Sequence, residues 1–221
     1  MVWLGLRVRG EGKERGASRS SDVSLSATDV EGPGELMAYL TESLGQPKTY
    51  FDSSDGLTAK DTTTLPPAAH THLNWAFTKP GVYRLTLEAK LRNPGAAPEP
   101  VGKGTFTFAV GVDPHTVADS GDTILDKGHT DLTVNLDSGR CRPSPTRAGR
   151  AGHRGDPARG RRHRRAQPGT GHRSLGKRFS FLGTPGAEIY QLPQAVLGKH
   201  VHGRSTRTSG RTWRTPRRTR S

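Results

Sequence analysis

"VYRLTLEAKL", Val82–Leu91, is the stretch that decides the fold class. Tyr83, Leu85, Leu87, Ala89 and Leu91 recur at every second position, with Arg84, Thr86, Glu88 and Lys90 between them. A period of two belongs to a strand with one buried face, because successive side chains point to opposite sides. Lys79-Pro80-Gly81 sets a turn ahead of this strand, and "NPGAAPEP", 93–100, sets another behind it. Beyond the second turn, "GTFTFAVG", 104–111, alternates again through Phe106, Phe108 and Val110.

Upstream, "DVSLSA" (22–27), "GELMAYL" (34–40), "KTYF" (48–51) and "THLNWAFT" (71–78) are short apolar pieces. The turn-rich loop "DSSDGLTAKDTTTLPPA", 52–68, separates the last two. Strands at this spacing, with no amphipathic helix among them, predict an all-β fold, an immunoglobulin-like antiparallel β-sandwich over 22–112. "GHTDLTVNLDSG", 128–139, reads as a further strand through Leu132, Val134 and Leu136, so 113–139 is expected to begin a second unit.

Charge divides the chain. The net charge of +14 hides 13 Lys+Arg against 18 Asp+Glu in residues 1–139, and 21 against 2 in residues 140–221. Residues 140–178 hold no aromatic side chain, and Leu175 is their only member of the Val, Ile, Leu and Met set. Such a segment cannot bury enough apolar surface to offset its chain entropy, so disordered Arg-rich C-terminal segments are expected at 140–178 and 198–221. Between them, 179–197 reads as a fragment of the second unit. Residues 1–21 are expected to be disordered. Their opening "MVWLGLRVRG" has an apolar run too short for a signal sequence, and no stretch approaches the ~20 apolar residues of a membrane span.

A lone cysteine, Cys141, excludes an internal disulfide framework and a cysteine-based zinc module. No Ser/His/Asp arrangement, catalytic carboxylate pair or phosphate loop stands out, and no enzyme is expected. The loop "FDSSDGLTAKD" lacks the EF-hand order of calcium ligands and reads as solvated. "LPQAV" departs from a sortase signal at its Ala195, and Arg154-Gly155-Asp156 lies in Arg/Gly-rich text where such a tripeptide arises by chance.

The candidate chemistry is in "HTHLNWAF", His70–Phe77. On one strand, His70, His72 and Asn74 share a face while Leu73, Trp75 and Phe77 take the other. The aromatic face belongs in the core, which turns the imidazoles outward. Two imidazoles can give two ligands to Zn²⁺ or a similar ion, and a stable site needs one or two more. His129 is taken as the third ligand, with His115, Asp131 and the acidic loop Asp52–Asp61 as other suppliers. The alternative for the pair is a structural or partner-contact role.

The separated motifs "DVEGPGELMAY", "SLGQP", "DSSDGL", "HTHLNWAF", "KPGVYRLTLEA" and "FTFAVG" together resemble actinobacterial surface-anchored repeat proteins of the choice-of-anchor M type. These accompany metal-type ABC transporters. "LDKGHTDLTVNLDSG" and "FSFLGTPGAEIYQLPQ" resemble parts of the following repeat, interrupted by Arg-rich text. Of the basic residues after Gly139, 19 are Arg and two, Lys177 and Lys199, are Lys. That bias is what GC-rich codons give out of frame, and a frame disruption after about residue 139 is expected.

The resemblance implies a non-enzymatic, extracellular or cell-surface module capturing a metal, zinc as the candidate. Its expected partner is a metal ABC transporter substrate-binding protein or a cell-wall component. Separately, "PGVYRLTL", 80–87, resembles the corner of immunoglobulin-like domains, in which the Tyr83 hydroxyl would reach back to nearby backbone. The alternative function is that of a basic-tailed nucleic-acid-binding protein. Against it, residues 140–178 offer no aromatic platform for stacking bases, so any binding would be non-specific and salt-sensitive.

Overall fold

A computed structural model describes residues 2–117, 124–125, 128–145, 177–183, 187–192 and 194. The described chain is all-β, and its helical pieces are short 3₁₀ turns. The described residues form twelve strands in three sheets. In chain order they are β1 (Val2–Arg9), β2 (Asp22–Glu31), β3 (Leu36–Thr41), β4 (Pro47–Asp52), β5 (Thr62–Leu65) and β6 (His70–His72). They continue with β7 (Asn74–Phe77), β8 (Gly81–Arg92), β9 (Glu99–Val110), β10 (Gly128–Asn135), β11 (Arg140–Pro145) and β12 (Tyr190–Leu192).

The sheet β5-β2-β8-β9 is wholly antiparallel and is built around the strand that the alternating pattern marks. Tyr83, Leu85, Leu87, Ala89 and Leu91 are all buried, as the period of two requires. The sheet β12-β7-β3-β4 is also antiparallel, and it meets the first through rings: Phe108 of β9 lies 5.9 Å from Trp75 and 5.4 Å from Phe77 between centroids. The third sheet, β11-β10-β1-β6, contains the one parallel pair of the described strands, β1 with β10. The main apolar core of the described residues draws on all three sheets.

The expected corner is present. The Tyr83 hydroxyl donates to the Lys79 carbonyl at 2.9 Å and accepts from the Lys79 amide at 3.2 Å. Gly32 leaves room for that ring, since a Cβ there would overlap the Tyr83 aromatic carbons.

Several boundaries differ from those expected. Residues 1–21 are not a disordered lead-in: Val2, Leu4, Leu6 and Val8 are buried, and β1 pairs on both sides as an interior strand. Their alternation with Trp3, Gly5, Arg7 and Arg9 is itself a period of two. Nor does 113–139 open a separate unit. Leu132, Val134 and Leu136 join the same core as Trp75 and Tyr83, so 22–112 is not self-contained. Arg140–Pro145 form β11 against β10, so the first six residues of the expected disordered segment are strand. The rest of 140–178, apart from 177–178, and all of 198–221 lie outside the described residues.

The described residues of 179–197, expected as a fragment of a second unit, also belong to this fold. β12 adds to the edge of β7, and Leu182 and Ile189 cover Met37, Tyr39 and Ala76 on the outer face of that sheet. The Phe179 and Phe181 rings stand edge-on to Tyr39, with centroids 6.0 and 5.2 Å away.

Candidate metal centre

The chain changes sheets inside "HTHLNWAF". β6 pairs with β1, whereas β7, after one intervening residue, pairs with β3. Leu73 at the crossover is fully buried, and its amide donates to the Leu4 carbonyl at 3.4 Å. The same carbonyl accepts from Trp75 Nε1 at 3.1 Å. Leu73, Trp75 and Phe77 are core residues, as the pattern predicts. Asn74 does not lie on an open face: it is buried because Gln191 and Gln194 cover it, Gln191 Nε2 donating to its Oδ1 at 2.9 Å and its Nδ2 donating to Gln194 Oε1 at 2.6 Å.

Register assembles the site. β1 is the centre strand, with Trp3 opposite His129 and Gly5 opposite Asp131 across the parallel pair. On its other side Gly5 is opposite His72 and Arg7 opposite His70. Leu4, Leu6 and Val8 point to the core, so Trp3, Gly5 and Arg7 face the other way with the histidines and Asp131. Two strands that flank a third are ordinarily too far apart for their side chains to meet across it. Gly5 removes the obstacle. A Cβ at this position would press on Asp131 Oδ1, lie 2.8 Å from the Thr71 carbonyl oxygen, and lie 3.0 Å from His72 Cδ2.

Over this glycine, one ligand atom from each of His70, His72, His129 and Asp131 falls within 4.8 Å of every other. His70 Nε2 is 2.9 Å from His72 Nε2, 2.9 Å from Asp131 Oδ1 and 3.3 Å from His129 Nε2. His129 Nε2 is 3.3 Å from the same Asp131 oxygen. An imidazole nitrogen offers a single proton or a single lone pair, so His70 Nε2 can satisfy only one of its three neighbours by hydrogen bonding. A cation bound by all four satisfies them together. Tetrahedral ligands at 2.0–2.1 Å from zinc stand about 3.3 Å from one another, close to the four separations just given, and all pairs lie within 4.8 Å.

The electrostatics suit a cation. The Asp131 side chain is fully buried, with Arg7 Nη1 3.9 Å from its other oxygen. Burial holds the His72 pKa below the usual histidine range, helped by the neighbouring His129 and His70 and opposed by Asp131 and a hydrogen bond with the Gln194 backbone. A neutral imidazole is the form a metal needs.

The three expected ligands, His70, His72 and His129, are thus brought together, and Asp131 completes the set. His115 is elsewhere, in a 3₁₀ turn where its amide donates to Asp113. The acidic loop is also elsewhere: Asp61 is buried and accepts from the amides of Asp52 and Thr58, closing its own loop. Gly5 and Arg7 went unread, although a glycine inside an alternating strand signals close approach of another group. Cys141 on β11 takes no part in the cluster, and burial pushes its thiol up to about 11.

Comparison with family models, with curated proteins and with solved structures finds no match. Among the described residues, no helix is long and apolar enough to cross a membrane.

Proposed function

We propose that this chain is a non-enzymatic, metal-capturing module of a bacterial surface-anchored repeat protein, working beside a metal ABC transporter. The observation that carries the metal reading is the convergence of three Nε2 atoms and one buried carboxylate oxygen over Gly5. Three imidazoles favour zinc or a similar first-row divalent ion over Mg²⁺ or Ca²⁺, which prefer all-oxygen sets. Four protein ligands leave a tetrahedral ion no open position, which supports capture over catalysis. The surface location, the immunoglobulin-like repeat character and the partner, a transporter's substrate-binding protein or a cell-wall component, rest on the motif resemblance.

The test is calorimetric titration of the full chain with zinc, beside the His70→Ala/His72→Ala double variant. One equivalent should bind to the unaltered chain at neutral pH, and the double variant should lose that event. Equal zinc binding by the two would refute the site.

A further inference from the structure

We propose that Arg7 sets the affinity of the metal centre, its guanidinium opposing the bound cation so that a captured ion can be given up again. The inference rests on the metal reading above and deepens it.

Arg7 stands on β1 two residues beyond Gly5, opposite His70 on β6 and opposite Thr133 on β10. Leu6 and Val8 on either side of it are fully buried in the core, so its side chain lies on the ligand face. There the Asp131 carboxylate is shared. Oδ1 is 2.9 Å from His70 Nε2 and 3.3 Å from His129 Nε2, while Oδ2 lies 3.9 Å from Arg7 Nη1. A guanidinium that served only to aim the carboxylate would hold it by a hydrogen bond, and 3.9 Å is beyond that reach. What Arg7 supplies is charge, and a guanidinium is always charged.

That charge acts in opposite senses without and with the ion. With neutral imidazoles and no ion, the cluster carries the single negative charge of Asp131, which attracts Arg7. A divalent ion reverses the sign of the cluster, and Arg7 is then repelled. Both effects lower metal affinity. A zinc–carboxylate bond is about 2.0–2.2 Å long, so an ion on Oδ1 stands about 8 Å or less from Nη1. At that separation the repulsion weakens binding about 5-fold at the dielectric of water, and further beside a buried carboxylate, where the field is less damped. The Arg7 side chain is 38% exposed, so dissolved ions reach it and the effect depends on salt. Such a limit on the grip suits a closed four-ligand site that must surrender its ion.

Competition for zinc between the full chain and a chromogenic chelator tests this in the unaltered protein, Arg7→Gln and Arg7→Lys. At roughly 0.01 M ionic strength, Arg7→Gln should bind zinc at least about 5-fold more tightly than the unaltered chain and lose it more slowly to the chelator. Arg7→Lys keeps the charge and should match the unaltered chain. Raising the ionic strength to roughly 1 M should close the gap, because the screening length then falls below the separation. Arg7→Met, a second neutral replacement, repeats the measurement if Arg7→Gln folds poorly. Neutral variants that bind zinc no more tightly than the unaltered chain, a lysine variant that behaves like them, or a gap that survives high salt would each overturn the role of Arg7 and leave the metal site standing. Failure of the unaltered chain to bind zinc is a separate result, and it would overturn both readings.

Discussion

Gly5→Ala adds one methyl group and tests the whole geometry of the candidate site. The new Cβ would press on Asp131 Oδ1 and sit 2.8 Å from the Thr71 carbonyl oxygen. Thr71 is backbone in the paired strand β6 and cannot step aside without breaking register. Asp131 must therefore withdraw, by about 1 Å before an ordinary van der Waals separation is reached. Its side chain is fully buried, so it has little space to enter.

Two effects of opposite sign act on the metal-free protein. Overpacking costs about 1–3 kcal/mol, while replacing a strand glycine by alanine returns roughly 0.5–1 kcal/mol of chain entropy. The net loss is modest. The effect on metal binding is larger, because a displaced first ligand should cost at least as much as a lost outer partner, on the order of 100-fold. At zinc set to 100 times the dissociation constant of the unaltered chain, binding stabilises that chain by about 2.7 kcal/mol and the variant by only about 0.4 kcal/mol. For a chain of this size, that corresponds to zinc-induced rises in melting temperature of roughly 5–11 °C and 1–2 °C respectively. Thermal unfolding followed by tryptophan fluorescence, with and without zinc, measures both. A zinc-induced rise in Gly5→Ala equal to that of the unaltered chain would show that Asp131 and the histidines do not meet over this residue.

Trp75→Ala should destabilise the full chain by about 3–5 kcal/mol in urea unfolding, since it empties a fully buried site. A loss below 1 kcal/mol would place the indole outside the core. Ala68 sits at φ 62, in the left-handed region, just before β6; Ala68→Gly should be neutral or stabilise by up to about 1 kcal/mol, and clear destabilisation would contradict that backbone. The pH dependence of the metal-free protein follows from His72, whose folded pKa is lowered, chiefly by burial. The unfolded chain then binds more protons, so this contribution is complete above the ordinary value near 6.5 and is lost as pH falls from there through the lowered folded value. Urea midpoints at pH 7.5 and 5.5 should differ less in His72→Gln than in the unaltered chain; an equal difference would remove His72 as a source.

Where one face of a strand is buried along its whole length, the sequence is readable. Tyr83 to Leu91 is such a case, and Phe106, Phe108 and Val110 come close to it with Phe108 partly buried; both strands lie where alternation puts them. Val2–Arg9 obeys the same rule, but its alternation is set among Trp3, Gly5 and two arginines, a mixture that blurs its period of two. The histidine pair was readable as a candidate because two imidazoles at a spacing of two share a strand face. What is not local is the pairing order. Nothing within "HTHLNWAF" reveals that the strand changes sheets at Leu73, or that Gln191 and Gln194, over a hundred residues on, cover Asn74 and bury it. The fourth ligand needs the register of a parallel pair joined across more than a hundred residues, and that register is set by the core on the opposite face.

That dependence makes the site a property of the completed fold. β1 supplies no ligand atom to the cluster, yet it fixes every ligand by pairing with β6 on one edge and β10 on the other. A slip of one residue in either pairing would turn its ligands to the core face and Leu6 or Leu132 outward, so burial of those leucines and convergence of the histidines are enforced together. The Leu4 carbonyl, held by both the Leu73 amide and the Trp75 indole, locks β1 to the crossover where the ligand strand ends. Metal binding should therefore add stability along the β6–β1–β10 seam, which joins residues from the start, middle and later part of the described chain. A fragment limited to 22–112 has neither β1 nor β10, and with them it lacks His129, Asp131 and the strand that aligns His70 with His72.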